Sequence, residues 1–182
     1  MTLLSDIIGS SGGFSADEIK NYLQILNLKL KNLDKRGEIS IVGGAMMCLV
    51  FQSRKTTYDI DAAISPSQLM QKLILEVAEE YNLPKYWLNE NVIQFMSPAG
   101  EFTEYLKMSN LDVYTATPEY MLAMKALSAR FENINEVDDI QTLIKYLKLK
   151  TPADVYKIIK KFYQLHEYQS RFDLILKEIF SE

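Results

Sequence analysis

The chain has 182 residues, 48% of them hydrophobic, with 20 Lys+Arg against 24 Asp+Glu and a net charge of -4. That apolar share builds a sizeable core and excludes a disordered chain, and the charge balance excludes a protein coated in basic charge for duplex binding, though not a local basic patch. One cysteine, Cys48, excludes an intramolecular disulfide and a cysteine-built zinc site, and one histidine, His166, excludes a histidine-rich metal site.

The N-terminus, MTLLSDIIGSSGG, lacks the basic start and sustained apolar core of a secretory signal. With no apolar run long enough for a bilayer, the expected compartment is the cytoplasm, without a membrane partner. The first residues read as a short arm with a flexible joint at Ser10 to Gly13. Ser15-Ala16-Asp17-Glu18 has capping-box spacing and opens a helix to about Leu33. Glu38 to Val42 is short and rich in β-branched residues, which predicts a strand. Gly43-Gly44 follow it, and a helix is predicted from Ala45 to about Phe51, with Cys48 as a small buried apolar residue. Tyr58 to Ile64 predicts a second strand. Ser65-Pro66 reads as a capping hydroxyl before a first-turn proline. Trp87, the only tryptophan, is expected as a core anchor near Pro84, with stacking on a base as the alternative. Phe102 to Met108 and Leu111 to Thr115 predict a hairpin around Ser109-Asn110.

From Thr117-Pro118 onward the pattern is helical: about 118–130, 136–148, 152–164 and 168–180, with Thr151 to Asp154 capping the third. The fold class is therefore α/β (α+β), a small mixed-sheet core over 1–116 with a helical C-terminal half over 117–182.

The chemistry concentrates between Ile39 and Ile64. On a strand, residues i and i+2 share a side, so Asp59 and Asp61 are expected to project together, with Tyr58, Ile60 and Ala62 on the other face. Two carboxylates that close repel unless one is protonated or a cation lies between them. Mg²⁺ suits such a pair, since it takes one or two carboxylates plus substrate phosphates, which makes the pair a grip for a metal-bound nucleotide. Gly43 and Gly44 let backbone approach a phosphate, and the helix after them offers free N–H groups. Arg54, Lys55, Thr56 and Thr57 add positive charge and hydroxyls at the same mouth.

The stretch VGGAMMCLVFQSRKTTYDID resembles the signature of the DNA polymerase β-like nucleotidyltransferase superfamily, nearest to its minimal and abortive-infection-type bacterial members. These carry a Gly-Gly-Ala or Gly-Gly-x-Ala start and an Arg-x-Thr-x-Asp-hydrophobic-Asp end. Gly43, Gly44 and Ala45 match the start, and Thr57, Asp59, Ile60 and Asp61 the end. In strict register Lys55 takes the arginine position, and Arg54 stands one residue early. The resemblance covers about 38–64 clearly and 111–147 loosely.

It implies transfer of a nucleoside monophosphate from an NTP to a hydroxyl of RNA, tRNA, a protein or a small molecule, with Mg²⁺ (or Mn²⁺) held at Asp59 and Asp61. It also implies a toxin-like or phage-defence role with an antitoxin-like partner protein. The superfamily usually adds a third carboxylate from a neighbouring strand. Asp112 is the candidate, as metal ligand or base, with Glu104 as fallback, and an outward-facing strand residue is the plain alternative for Asp112. The other-class alternative is a catalytically inactive nucleotide-binding or interaction module of the same fold.

Tyr120 to Ala129 is apolar nearly all round, which implies burial, yet Lys125 sits in its middle. Similar bacterial members carry a Lys and an Arg in a comparable helix, so Lys125 and Arg130 are candidates to face nucleotide phosphates. Neutralisation by Asp138 or Asp139 is the structural alternative. Lysines 145, 148, 150, 157, 160 and 161 interleave with Tyr146, Tyr156 and Tyr163, a composition that suits RNA contact or one solvated helix face.

Overall fold

The computed structural model of the chain describes residues 13–129, 134–164 and 169–181. The arm, Ser10 to Gly12 of the joint, His166 and Arg130 lie outside the described residues. Two compact units are formed. One takes the described residues up to Gln94 together with Thr103–Thr115; the other takes Phe95–Phe102 and the described residues from Ala116.

In the first unit, strand β1 (Phe14–Ser15) leads into helix α1 (Ala16–Asn32). The capping box forms: the Glu18 amide donates to the Ser15 hydroxyl at 3.3 Å, and the Ser15 amide donates back to the Glu18 carboxylate at 2.8 Å. Strand β2 (Gly37–Ile41) is followed by helix α2 (Gly43–Met46), which runs straight into a π-helical stretch, Met47–Phe51. Cys48 is buried there, as its apolar neighbours require. Strands β3 (Thr56–Thr57) and β4 (Ile60–Ser65) precede helix α3 (Ser67–Glu80), and β5 (Leu88–Asn89) follows it. The predicted Ser65 cap does not form: Pro66 is the N-cap of α3 and makes no side-chain cap bond.

Strands β6 (Phe102–Lys107) and β7 (Leu111–Ala116) complete a five-stranded mixed sheet in the order β5-β4-β2-β7-β6, and β1 pairs separately with β3. Antiparallel pairing sets Ile41 against Ala62, and parallel pairing sets Glu38 against Asp112 and Asp61 against Asn89. Ile39 and Ile41 of β2 and Ile60 and Ala62 of β4 are fully buried, so one sheet face is core, and α1 and α3 bury their apolar stripes.

Trp87 fixes the short strand β5. It is fully buried, donates its indole N–H to the Ile74 carbonyl of α3 at 3.1 Å, and meets Tyr22 and Phe14 edge-on at 5.5 and 6.4 Å. It is the anchor expected beside Pro84, whose carbonyl accepts its backbone N–H at 2.9 Å.

The second unit is helical: α4 (Pro118–Ser128), α5 (Ile134–Tyr146), α6 (Pro152–Ile159) and α7 (Gln169–Ile179). Thr117 and Thr151 cap α4 and α6 as their spacing predicts, accepting from the Tyr120 and Asp154 amides at 3.2 Å each. Helix α4 is buried from Tyr120 to Ala126 because it packs on both α5 and α6. Among the described residues, no helix is long and apolar enough to cross a membrane.

Candidate functional site

The end of β2 and the start of β4 meet. The Val42 amide donates to the Asp61 carbonyl at 3.0 Å, so the turn after β2 lies beside the aspartates. Gly43 adopts φ +67°, a conformation that side chains disfavour. A Cβ on Gly43 would stand 3.1 Å from Asp61 Oδ2, so the carboxylate lies against bare backbone. A Cβ on Gly44 would stand 2.6 Å from Thr57 Oγ1 and 3.3 Å from Arg54 Nη1. The glycine pair, Arg54, Thr57 and Asp61 are thus brought together in one place. Of the two basic candidates it is Arg54 that packs on the turn; Lys55 is exposed.

Thr57 is buried and donates its hydroxyl to the Asp59 carbonyl at 3.1 Å, which ties β3 to the first aspartate. Gly44→Ala therefore forces Thr57 to rotate and give up that bond. The expected cost is about 1–3 kcal/mol, read by urea denaturation, and in a double-mutant cycle with Thr57→Ala the cost of the double variant should fall short of the sum of the two single costs.

The faces differ in one respect from the alternation read in the sequence. Strand β4 begins at Ile60, so only Asp61 lies within it. Tyr58 is 80% exposed and does not share the core face with Ile60 and Ala62. Asp59 is held by neighbouring bonds instead: Ile60 N–H donates to the Trp87 carbonyl at 2.8 Å, and Asn89 Nδ2 donates to Asp59 Oδ2 at 3.3 Å.

Burial pushes the half-buried Asp59 carboxyl above its ordinary value, and the Asn89 hydrogen bond pulls it back down in part. Between the ordinary aspartate range and that raised value the folded chain binds more protons than the unfolded one, so stability falls as pH rises through the window. An Asp59→Asn chain lacks this loss. Its melting temperature should exceed the parent's near neutrality, and the difference should vanish below about pH 4, the ordinary aspartate range.

Asp112 does not join the pair. It lies opposite Glu38, at the start of β2, whereas Asp61 lies opposite the residue after β2 ends. Four residues of rise and two strand spacings separate the aspartates by on the order of 15 Å. Asp112 Oδ2 instead accepts from Arg36 Nη2 at 2.8 Å, and its Oδ1 is buried with no hydrogen-bond partner. Glu104 is three strands from β4 in the sheet order and 3.5 Å from Lys107. Among the described residues, no group of three or more His, Cys, Asp or Glu is placed to hold a metal ion. The acids that remain, Asp61 against the glycine turn and Asp59 two positions before Asp61, offer the oxygen donors that a hard divalent cation takes.

Residues 19–178 match the family model described as "Nucleotidyltransferase of unknown function (DUF6036)". The chain belongs to this nucleotidyltransferase family. No curated protein and no solved structure matches it. The matched span of the nucleotidyltransferase takes in the glycine turn, both aspartates and the lysine helix α4.

In the helical unit of the nucleotidyltransferase, Lys125 Nζ lies 2.7 Å from Asp139 Oδ2, with the lysine side chain 10% and the aspartate 1% exposed. The neighbouring Asp138 is exposed, so only one acid of the pair faces α4. Lysines 145, 148, 150, 157, 160 and 161 are exposed. Tyr163 donates its hydroxyl to the Phe95 carbonyl at 2.7 Å, Tyr156 bonds Asp173, and Tyr146 is 60% exposed.

Asn89 carries little signal in the sequence: its two-residue strand is too short for a period-2 pattern, and its one cue is its place two residues after the tryptophan.

Proposed function

We propose that this nucleotidyltransferase is a member of the DNA polymerase β-like superfamily that moves a nucleoside monophosphate from an NTP to a hydroxyl acceptor. The observation that carries the reading is the contact of Gly43 with the Asp61 carboxylate beside Gly44, Thr57 and Arg54. A turn too crowded for side chains, a carboxylate for a cation and a guanidinium then occur at one point.

Asp59 and Asp61 would hold Mg²⁺ or Mn²⁺. When bound, the cation supplies charge neutralisation for in-line attack at the α-phosphorus. Gly43 and Gly44 let Asp61, Thr57 and Arg54 close on the turn and present the first N–H groups of the helical run, whose N-cap, Val42, makes no side-chain cap bond. Arg54 supplies positive charge over Gly44, and Thr57 orients the Asp59 backbone. RNA is the favoured acceptor because of the exposed lysines around Tyr146. A toxin-like or phage-defence role with an antitoxin-like partner rests on the resemblance to abortive-infection-type members.

The second reading, a nucleotide-binding module without turnover, is favoured by the position of Asp112 away from the pair. One assay separates the two: labelled NTPs, Mg²⁺ and total RNA incubated with the chain and with its Asp59→Ala/Asp61→Ala variant. Label transfer that the variant loses supports the enzyme. Mg²⁺-dependent NTP binding without transfer supports the module, and no NTP binding overturns both.

A further inference from the structure

Asn89 lies on β5 directly opposite Asp61 and bonds the carboxylate of Asp59. Its amide is oriented by three contacts. Oδ1 accepts the Asn91 N–H at 3.0 Å, and Nδ2 donates to the Tyr86 carbonyl at 3.2 Å and to Asp59 Oδ2 at 3.3 Å. A carbonyl only accepts and a backbone N–H only donates, so these partners exclude the flipped amide. What Asn89 offers the aspartates is a donor, never a metal ligand. The next acid on that segment, Glu90, is turned to α3, where its Oε2 accepts from Ser67 and Gln71 at 2.8 and 2.7 Å.

We propose that Asn89 is a positioning residue that occupies Oδ2 of Asp59, leaves Oδ1 for the cation, and keeps the site at two carboxylates so that a divalent ion is retained only together with nucleotide. This rests on the nucleotidyltransferase reading above. The physical basis is ligand number. Two carboxylates fill too few of the six positions a small hard cation demands, so triphosphate oxygens must fill others. A neutral donor at 89 also steadies Asp59 without adding a third like charge. Position 89 is close enough to supply a third ligand if it were acidic. Its terminal nitrogen is 3.3 Å from Asp59 Oδ2, so an acid at 89 would stand beside the Asp59 carboxylate.

The test titrates Mn²⁺, followed by its electron paramagnetic resonance signal, into four chains: the parent, Asn89→Asp, Asn89→Ala and Asp59→Ala/Asp61→Ala. Each is measured alone and with a mixture of non-hydrolysable NTP analogues. The parent should bind Mn²⁺ at least about tenfold more tightly with nucleotide than without. Asn89→Asp should bind Mn²⁺ alone at least tenfold more tightly than the parent and gain melting temperature when Mn²⁺ is added. Asn89→Ala should lose about 10–100-fold of the nucleotide-dependent Mn²⁺ affinity, as expected when the hydrogen-bond partner of a ligand is removed.

A parent that binds Mn²⁺ equally well without nucleotide overturns the inference, as does a folded Asn89→Asp chain with no new Mn²⁺ site. If the double aspartate variant keeps the parent's nucleotide-dependent binding, the reading of the site falls as well. Loss in that variant with both Asn89 chains unchanged overturns the Asn89 inference alone. Melting curves without metal show which chains are folded.

Discussion

Label transfer from NTP is expected to fall at least about a thousandfold in an Asp59→Ala/Asp61→Ala chain that remains folded. Metal-borne charge neutralisation at a transferring phosphoryl group contributes several kcal/mol, and each 1.36 kcal/mol is a factor of ten in rate. Among the described residues, no third acid joins Asp59 and Asp61 in a group placed to hold a metal ion. Asp112 is bonded to Arg36 at 2.8 Å, Glu90 is bonded to Ser67 and Gln71, and Glu104 is at the far edge of the sheet. For Asp59 the substitution removes a carboxylate whose charged form burial disfavours, and melting curves of the double variant check that it is folded. Unchanged transfer in the folded double variant is the result that removes the aspartates from the chemistry.

How the elements reveal themselves differs by the range of the interactions behind them. Capping at Ser15, Thr117 and Thr151 is local, with donor and acceptor three residues apart, so the residue types alone predict it. The strands around Ile39, Ile60 and Val113 are legible because each alternates against one buried face. The failure at Ser65 has the same local character: with Pro66 as N-cap, the hydroxyl one residue earlier is outside reach of the first-turn amides.

The site was only half legible, and the reason is topology. Gly43, Gly44, Thr57 and Asp61 lie within one β2–α2–β3–β4 passage, so their meeting follows from a short return of the chain. The third acid depends on where β7 inserts and in which register. The hairpin turn before β7 abuts the start of β2, where the Gly37 amide donates to the Asn110 carbonyl at 2.9 Å. With β7 parallel to β2, Asp112 must then sit near the start of β2, while the glycine turn follows its end. Residue types carry no sign of that register. Asn89 was hidden for the opposite reason: its strand has two residues, and its place beside Asp61 is set by Trp87 buried against Ile74.

Lys125→Met is expected to cost about 3–5 kcal/mol, the penalty for breaking a buried ion pair by removing one partner. For a chain of this length that is a fall of about 10 °C in melting temperature. The reason is the exposure of the acid. The Asp139 side chain is 1% exposed and its Oδ2 lies 2.7 Å from the ammonium, so the substitution removes a cation in direct contact with a buried carboxylate and opens no route to water. A Lys125→Met/Asp139→Leu chain replaces both charges by apolar groups of similar size and should recover most of the loss. That double variant also separates the two roles of Lys125. If its whole contribution is to neutralise Asp139, the stable double variant keeps the parent's affinity for NTP with Mg²⁺. If the ammonium also answers phosphate charge, the double variant melts like the parent yet binds NTP about tenfold or more weakly, since a charge-assisted hydrogen bond contributes roughly 1.5–3 kcal/mol. The 2.7 Å contact within a buried helix pair favours the first outcome, because the ammonium already faces a buried carboxylate.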